Sequence, residues 1–315
     1  MGAARVVDRP SARLGLLQVC TAGVLWGTGG LVVTVLHDRD RLGAMTVSAW
    51  RMALGAAALI AFAMLTGRSR VALQTMRTHP GLATAVGVGT AMYQGLYFVS
   101  VLLVGVSIST VVSLGLAPVL AATWEHLAAK SPPSLREVAV LAAALVGLVL
   151  ISLTAGHGPA REGNDTTTLG LVLSVAAGAT YAATTVLGHT LAQRVDPVAL
   201  TTCATTIGAV ALLPFLVIAA VTNQPVASAD PTSLLLLVYL GVATMAVSYG
   251  LLYAGLRTTS GSAATVATLV EPLSAALLAA VLLDERLPPA ALLGGALILA
   301  AVVALRPVEE NPAPA

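Results

Sequence analysis

Ten long apolar stretches dominate this chain, and each is close to the ~20 residues that an α-helix needs to cross a bilayer. They run Leu14 to Leu36, Met45 to Thr66, Gly81 to Leu103, Ile108 to Ala128 and Leu135 to Thr154. The second group runs Leu169 to Ala192, Val198 to Val221, Leu234 to Leu256, Ser262 to Leu283 and Pro288 to Leu305. The break at Gly105 to Ser107 carries no charge, but the stretch from His79 to Lys130 is far too long for one span and suits two joined by a tight turn. Only 10% of the residues are charged and 57% are apolar, against about a quarter charged in a soluble domain. These figures exclude a soluble globule, a disordered chain, a coiled coil and a disulfide scaffold. Cys20 and Cys203 both lie inside apolar runs and read as buried free thiols. The cations are dispersed, with no basic run interleaved with aromatics, so nucleic acid is not an expected partner.

The first apolar run follows Arg5, Arg9 and Arg13, as the core of a signal peptide would. It is longer than such a core, and no small-x-small cleavage site with a polar mature segment follows, so a retained helix is expected. Loop cations give the orientation. Arg5, Arg9, Arg13, Arg68, Arg70, Arg77, Lys130, Arg136, Arg194, Arg257 and Arg306 fall on the N-terminal side, against Arg39, Arg41, Arg161 and Arg286 on the other. Eleven against four of the 16 cations, with Arg51 inside a span, places both termini in the cytoplasm and favours an even number of spans.

The chain also repeats itself. Leu14-Gly15-Leu16, Ala22-Gly23 and Trp26 recur as Leu169-Gly170-Leu171, Ala177-Gly178 and Tyr181, each 155 positions on. Leu116-Ala117-Pro118 falls opposite Val270-Glu271-Pro272 at an offset of 154. The expected architecture is all-α, a polytopic membrane protein of ten transmembrane helices in two five-helix repeats. The repeats cover residues 1–155 and 169–306, joined by an extracytoplasmic linker at 156–168 and followed by a disordered cytoplasmic tail at 307–315. Five crossings per half are odd, so the second half enters from the opposite face and the repeats are inverted. Inverted repeats are a recurring device of secondary transporters, although duplication has also produced other membrane proteins.

These residues resemble the drug/metabolite transporter superfamily, in particular its EamA-type branch, over nearly the whole chain. The resemblance is carried by Leu25-Trp26-Gly27, by Arg51 with Ala53 and Ala56, and by Ser260-Gly261-Ser262-Ala263-Ala264 leading to Glu271-Pro272-Leu273. It continues through Leu282-Leu283-Asp284-Glu285-Arg286-Leu287 to Gly294-Gly295-Ala296-Leu297. It implies a ten-helix carrier that exports amino acids, other metabolites or drugs. The first half departs from the family pattern at Glu125-His126 and Lys130-Ser131-Pro132-Pro133, so Glu125 inherits no family role.

Charges within spans are costly and rare, and are functional candidates by default. Glu271, near the middle of the ninth span, is a candidate to hold a proton, a substrate amine or an internal partner, and equally a candidate tie between helices. Pro272 and Pro118 each remove an intrahelical hydrogen bond, freeing the carbonyls of Thr268 and Leu114, and are expected to kink their spans, either to serve gating or as plain bends. Pro214 reads as a kink only. Arg51, with a counterpart near Ala204, is expected to gate or brace rather than to touch substrate; Glu125 and His126 are candidates for an inner gate or for snorkelling to the interface. Trp26 and Tyr181 occupy matched positions. Tyr93 and Tyr97, with Gln94 alongside, repeat as Tyr249 and Tyr253 one turn apart. With Glu271 these rings and Gln94 form the expected substrate cavity, suited to an apolar or zwitterionic small molecule; plain packing is the alternative for each ring. Gly23 and Gly27 permit close helix approach, within the bundle or in a dimer.

The expected function is a secondary transporter exporting small metabolites, such as amino acids or amphipathic compounds, with a proton as candidate coupling ion. The alternatives are a polytopic enzyme or a channel. No HExxH, aspartate-rich cluster or Ser-His pair supports catalysis, and no polar stripe runs through one span as a channel would want. No Walker motif, metal site or cofactor is expected. The other partners expected are lipid and a second copy of the chain, as a monomer or homodimer in the plasma membrane of a GC-rich bacterium.

Overall fold

The computed structural model describes residues 12–104, 106–154, 164–282 and 288–305. The expected tail 307–315, most of the expected linker, Gly105 and Asp284-Glu285-Arg286 lie outside the described residues. Every regular element among the described residues is helical. The first half holds α1 (Ala12–Asp40), α2 (Ala44–Leu65), α3 (Ser69–Thr78), α4 (Pro80–Val104), α5 (Val106–Ala129) and α6 (Leu135–Thr154). The second holds α7 (Asn164–Ala192), α8 (Pro197–Val221), α9 (Pro231–Gly241), a π-helical turn (Val242–Val247), α10 (Ser248–Gly255), α11 (Gly261–Ala267), α12 (Val270–Leu282) and α13 (Pro289–Ala304). The last residues of the expected linker, 164–168, are therefore the first turn of α7.

Among the described residues, nine helical stretches are long and apolar enough to cross a membrane, one of them running from α9 through the π turn to α10 and another through α11 and α12. The tenth expected span is α13, apolar but only 16 residues and so about 24 Å long. The outer faces bear Leu65, Leu153, Val210, Leu235 and Val303, all exposed, an apolar girdle that lipid rather than water covers.

Local chemistry sets the helix ends. Asp196 accepts from the backbone amides of Val198 and Ala199 and precedes Pro197, so it starts α8; Asp230 does the same for α9 through Ser233. The Ser233 amide holds the Asp230 carboxyl below its ordinary range. Ser134 and Glu137 form a reciprocal capping box at α6. Arg41, Gly67, Lys130 and Asn223 adopt positive φ just beyond the ends of α1, α2, α5 and α8, the left-handed step that ends a helix. The sequence alone predicts a loop over residues 67–80, between the second and third apolar stretches. They instead hold α3, whose Ala72 and Thr75 are buried while Arg70 and Arg77 point outward.

The two halves pack by exchange. Helix α1 lies against α10 and α12, as α7 lies against α4 and α5; α2 packs on α8, and α6 on α13. Glycines repeat the exchange atom by atom. A Cβ at Gly55 would sit 2.9 Å from the Gly241 carbonyl oxygen, and one at Gly87 would sit 2.7 Å from the Ala204 carbonyl oxygen beside Gly208. At the α6–α13 contact, Gly147 and Gly294 each lie against the other's carbonyl, at 2.5 and 2.6 Å from the missing Cβ. Only glycine permits these approaches. The apolar interior splits into two main cores. One joins α2, α4, α8 and α10 with parts of α1, α3, α7 and α11. The other joins α5, α6, α11, α12 and α13 around the middle of α7.

Candidate functional site

The matched aromatics meet across the halves. Trp26 of α1 lies 5.0 Å from Tyr249 of α10, and Tyr181 of α7 lies 4.9 Å from Tyr93 of α4. Each half thus gives its first helix to a ring of the other half's third span, a pairing that follows from the exchange packing. Tyr97 stacks 6.0 Å from Tyr93 and shares a 2.8 Å hydrogen bond with Thr110, closing α4 onto α5. Tyr181 shares a 3.0 Å bond with the Thr268 hydroxyl. Tyr93 and Tyr97 remain partly exposed within the bundle, whereas Trp26, Tyr181 and Tyr249 are buried behind them. Tyr253 is 2% exposed, packs against Gly188 and lies 6.1 Å from Tyr249, backing that ring from the core side.

Three polar side chains enter this symmetric frame at unmatched places. Glu271 lies at the start of α12, partly exposed, and shares its electrostatic environment with Arg51, Tyr93, Tyr97, Tyr181 and Tyr249. Arg51 of α2 donates through Nη2 to the Thr244 carbonyl at 2.9 Å. Trp26 Nε1 donates to the same oxygen at 3.0 Å. That carbonyl lies in the π-helical turn, where the change of hydrogen-bond register turns backbone groups out of the regular ladder. The sequence offered no signal for this turn. Arg51 and Glu271 face each other's field without closing an ion pair among the described residues. Arg51 Nε and both amide atoms of Gln94 find no hydrogen-bond partner there, although Gln94 is only 4% exposed. Their sequence counterparts are Ala117 for Glu271, Gly250 for Gln94 and Ala204 for Arg51. The two rings' halves match; the charges do not.

The span carrying Glu271 is broken beside it. Helix α11 ends at Ala267 and α12 begins at Val270, and the Thr268 carbonyl is taken by the Glu271 amide at 2.9 Å in place of the bond Pro272 cannot make. Gly23 and Gly27 of α1 seat against this break, at Thr268 and at the Glu271 carbonyl, so both serve packing within the bundle. Helix α5, by contrast, runs unbroken through Pro118. One lost backbone bond does not end a helix when the turns on either side stay paired.

Glu125 reaches across to the second half. It accepts the Ser262 amide through Oε1 at 3.0 Å and the Ser262 hydroxyl through Oε2, at the start of α11. A Cβ at Gly261 would lie 3.0 Å from the same Oε1, so glycine makes room for the carboxylate. This latch joins α5 to α11 at the face where α1 begins. His126 points elsewhere, 3.9 Å from Glu137.

The sequence pattern of the EamA-like transporter family matches residues 13–153 and again residues 168–306. The chain belongs to the EamA-like transporter family. Its two matched stretches are the two halves that pack by exchange. A transporter of Bacillus subtilis, YwfM, is 26% identical over 289 residues, covering 92% of both chains. An inner membrane transporter of Salmonella typhimurium, YicL, is 24% identical over 297 residues, covering 94% of this chain and 96% of its own. A crystal structure of another protein, 18% identical, superposes with a TM-score of 0.76 over 92% of this chain and 95% of that one, a likeness of fold. The EamA-like assignment, the apolar helices and the two-repeat plan together make this a multi-pass membrane transport protein.

Proposed function

We propose that this EamA-like protein is a secondary transporter that exports small metabolites by alternating access, with amino acids as its first substrate class and amphipathic compounds as its second. One observation carries the reading: Arg51, from the first half, and Glu271, from the second, lie within each other's field beside Tyr93 and Tyr249 without an ion pair among the described residues, and Arg51 Nε has no partner. A molecule bearing a carboxylate and an amine satisfies both, with the tyrosine faces holding its apolar part. Glu271 is also the natural seat of a coupling proton, because a carboxylate inside a membrane is cheapest when neutral or paired. Taken as ten spans in two inverted halves, with α13 as the tenth, the chain suits such a cycle. Five crossings per half reverse the second half, and exchange of the halves' conformations turns a cavity open to one side into one open to the other. The excess of loop cations on the N-terminal side supports cytoplasmic termini in a plasma membrane. The membrane-enzyme and channel readings have no comparable support.

The test is counterflow in proteoliposomes loaded with unlabelled amino acids and amines, with Glu271→Gln in parallel. The expected result is accumulation of a labelled amino acid, cut at least about tenfold by Glu271→Gln in protein that still folds, the loss of roughly one strong contact. Counterflow of amines alone, or no change in the variant, overturns the assignment.

A further inference from the structure

A groove of about 960 Å³ opens between α5, α6, α11 and the end of α13, on the face where α1 begins. Apart from Pro118 and Ser262 it uses no residue of the transport path. It is graded from end to end. Pro118, Val119, Val140, Leu141 and Val266 wall its deep part, while His126, Lys130, Ser131, Ser134 and Arg136 line its mouth. From Pro118 to Lys130 the α5 wall is about 18 Å long, about three-fifths of the ~30 Å hydrocarbon thickness of a bilayer.

The mouth is built for an anion. Glu137 is the sole carboxylate among the lining residues, and it is engaged by the Ser134 amide and hydroxyl, each at 2.7 Å. Arg136 is pinned by one bond, Nη2 to the Ala304 carbonyl at 2.6 Å, which aims its planar group at the mouth and leaves its other N–H donors for a ligand. Lys130 forms no ion pair among the described residues, and its positive φ turns it out of the α5 axis. Trp124, 60% exposed on the same helix, has the placement of an interfacial ring. We infer that this groove binds one anionic phospholipid, its phosphate at Lys130 and Arg136 and an acyl chain along α5 toward Pro118. The bound chain lies behind Ser262, so lipid and the Glu125 latch share a wall.

The test reads Trp124 emission of the full chain, as the difference from Trp124→Phe, in bilayers containing brominated phosphatidylglycerol or brominated phosphatidylcholine with identical acyl chains. The anionic lipid is expected to quench with an apparent affinity about fivefold higher, the scale of one cation at a lipid surface. Lys130→Asn, which keeps a residue tolerant of positive φ, abolishes that preference; Arg77→Gln, a cation on α3 outside the groove, leaves it intact. Equal quenching by the two lipids overturns the inference. So does equal loss in both variants, which means diffuse surface attraction. Relief of quenching by millimolar glycerol phosphate assigns the mouth to a free phosphate. A preference seen only after removal of residues 306–315 assigns the groove to the tail. Either result overturns the inference.

Discussion

At the scale of single residues, the site depends on side chains that the repeat does not repeat. Arg51 is tethered by one nitrogen to the Thr244 carbonyl, and its Nε has no partner. A tethered guanidinium is already oriented, so little freedom is lost when it meets a carboxylate. Arg51→Gln is therefore expected to lower uptake of substrates that carry a carboxylate by about tenfold, the weight of one charged hydrogen bond, while sparing simple amines. Competition assays with matched acid and amine pairs measure this; equal loss for both makes Arg51 a brace alone. Charges within spans could be read from the sequence because each costs too much to be accidental, so Glu271, Arg51 and Glu125 stood out. Their partners could not be read. Glu125 bonds Ser262, 137 positions away, and Trp26 and Arg51 share a carbonyl of a turn whose residues, Val-Ala-Thr-Met-Ala-Val, look like any helix. The spacing of Tyr253 from Tyr249 matches that of Tyr97 from Tyr93, but periodicity says nothing about which neighbour fills the space beyond: Gly188 for Tyr253, Thr110 for Tyr97.

At the scale of helices, glycine decides how closely the halves approach. Gly147 lies in the α6–α13 contact with no room for a methyl group, whereas Gly81 on α4 has nothing within 4 Å of an added Cβ. Gly147→Ala is expected to destabilise by about 1–3 kcal/mol through overpacking. Gly81→Ala is expected to be neutral or to stabilise by up to about 1 kcal/mol. Thermal unfolding of the two variants in detergent checks the contrast, and an equal response removes the close-contact argument. The spans themselves were legible because about 20 apolar residues have few places to go, and the repeat was legible from shared tripeptides. Helix α3 was not. It is polar on one face, only ten residues long, and owes its order to burying Ala72 and Thr75, a tertiary fact.

At the scale of the whole molecule, two apolar cores meet along α1 and α7, and Cys20 packs against both. Motion of one core against the other therefore passes beside that thiol. Releasing the latch with Glu125→Ala is expected to raise maleimide labelling of Cys20 by about threefold or more, if the open state is favoured by the roughly 1 kcal/mol of a lost hydrogen bond. Cys203, only 5% exposed on α8, serves as the unreactive reference. Unchanged labelling detaches the latch from the movement. The latch also has a consequence for the cycle as an engine. Its carboxylate, Glu125, is matched in the second half by Ala279, so the sequence does not repeat this carboxylate at the mirrored position. If the halves exchange conformations as proposed, the two strokes are unequal, and the step that unfastens Glu125 from Ser262 is expected to be the slower one.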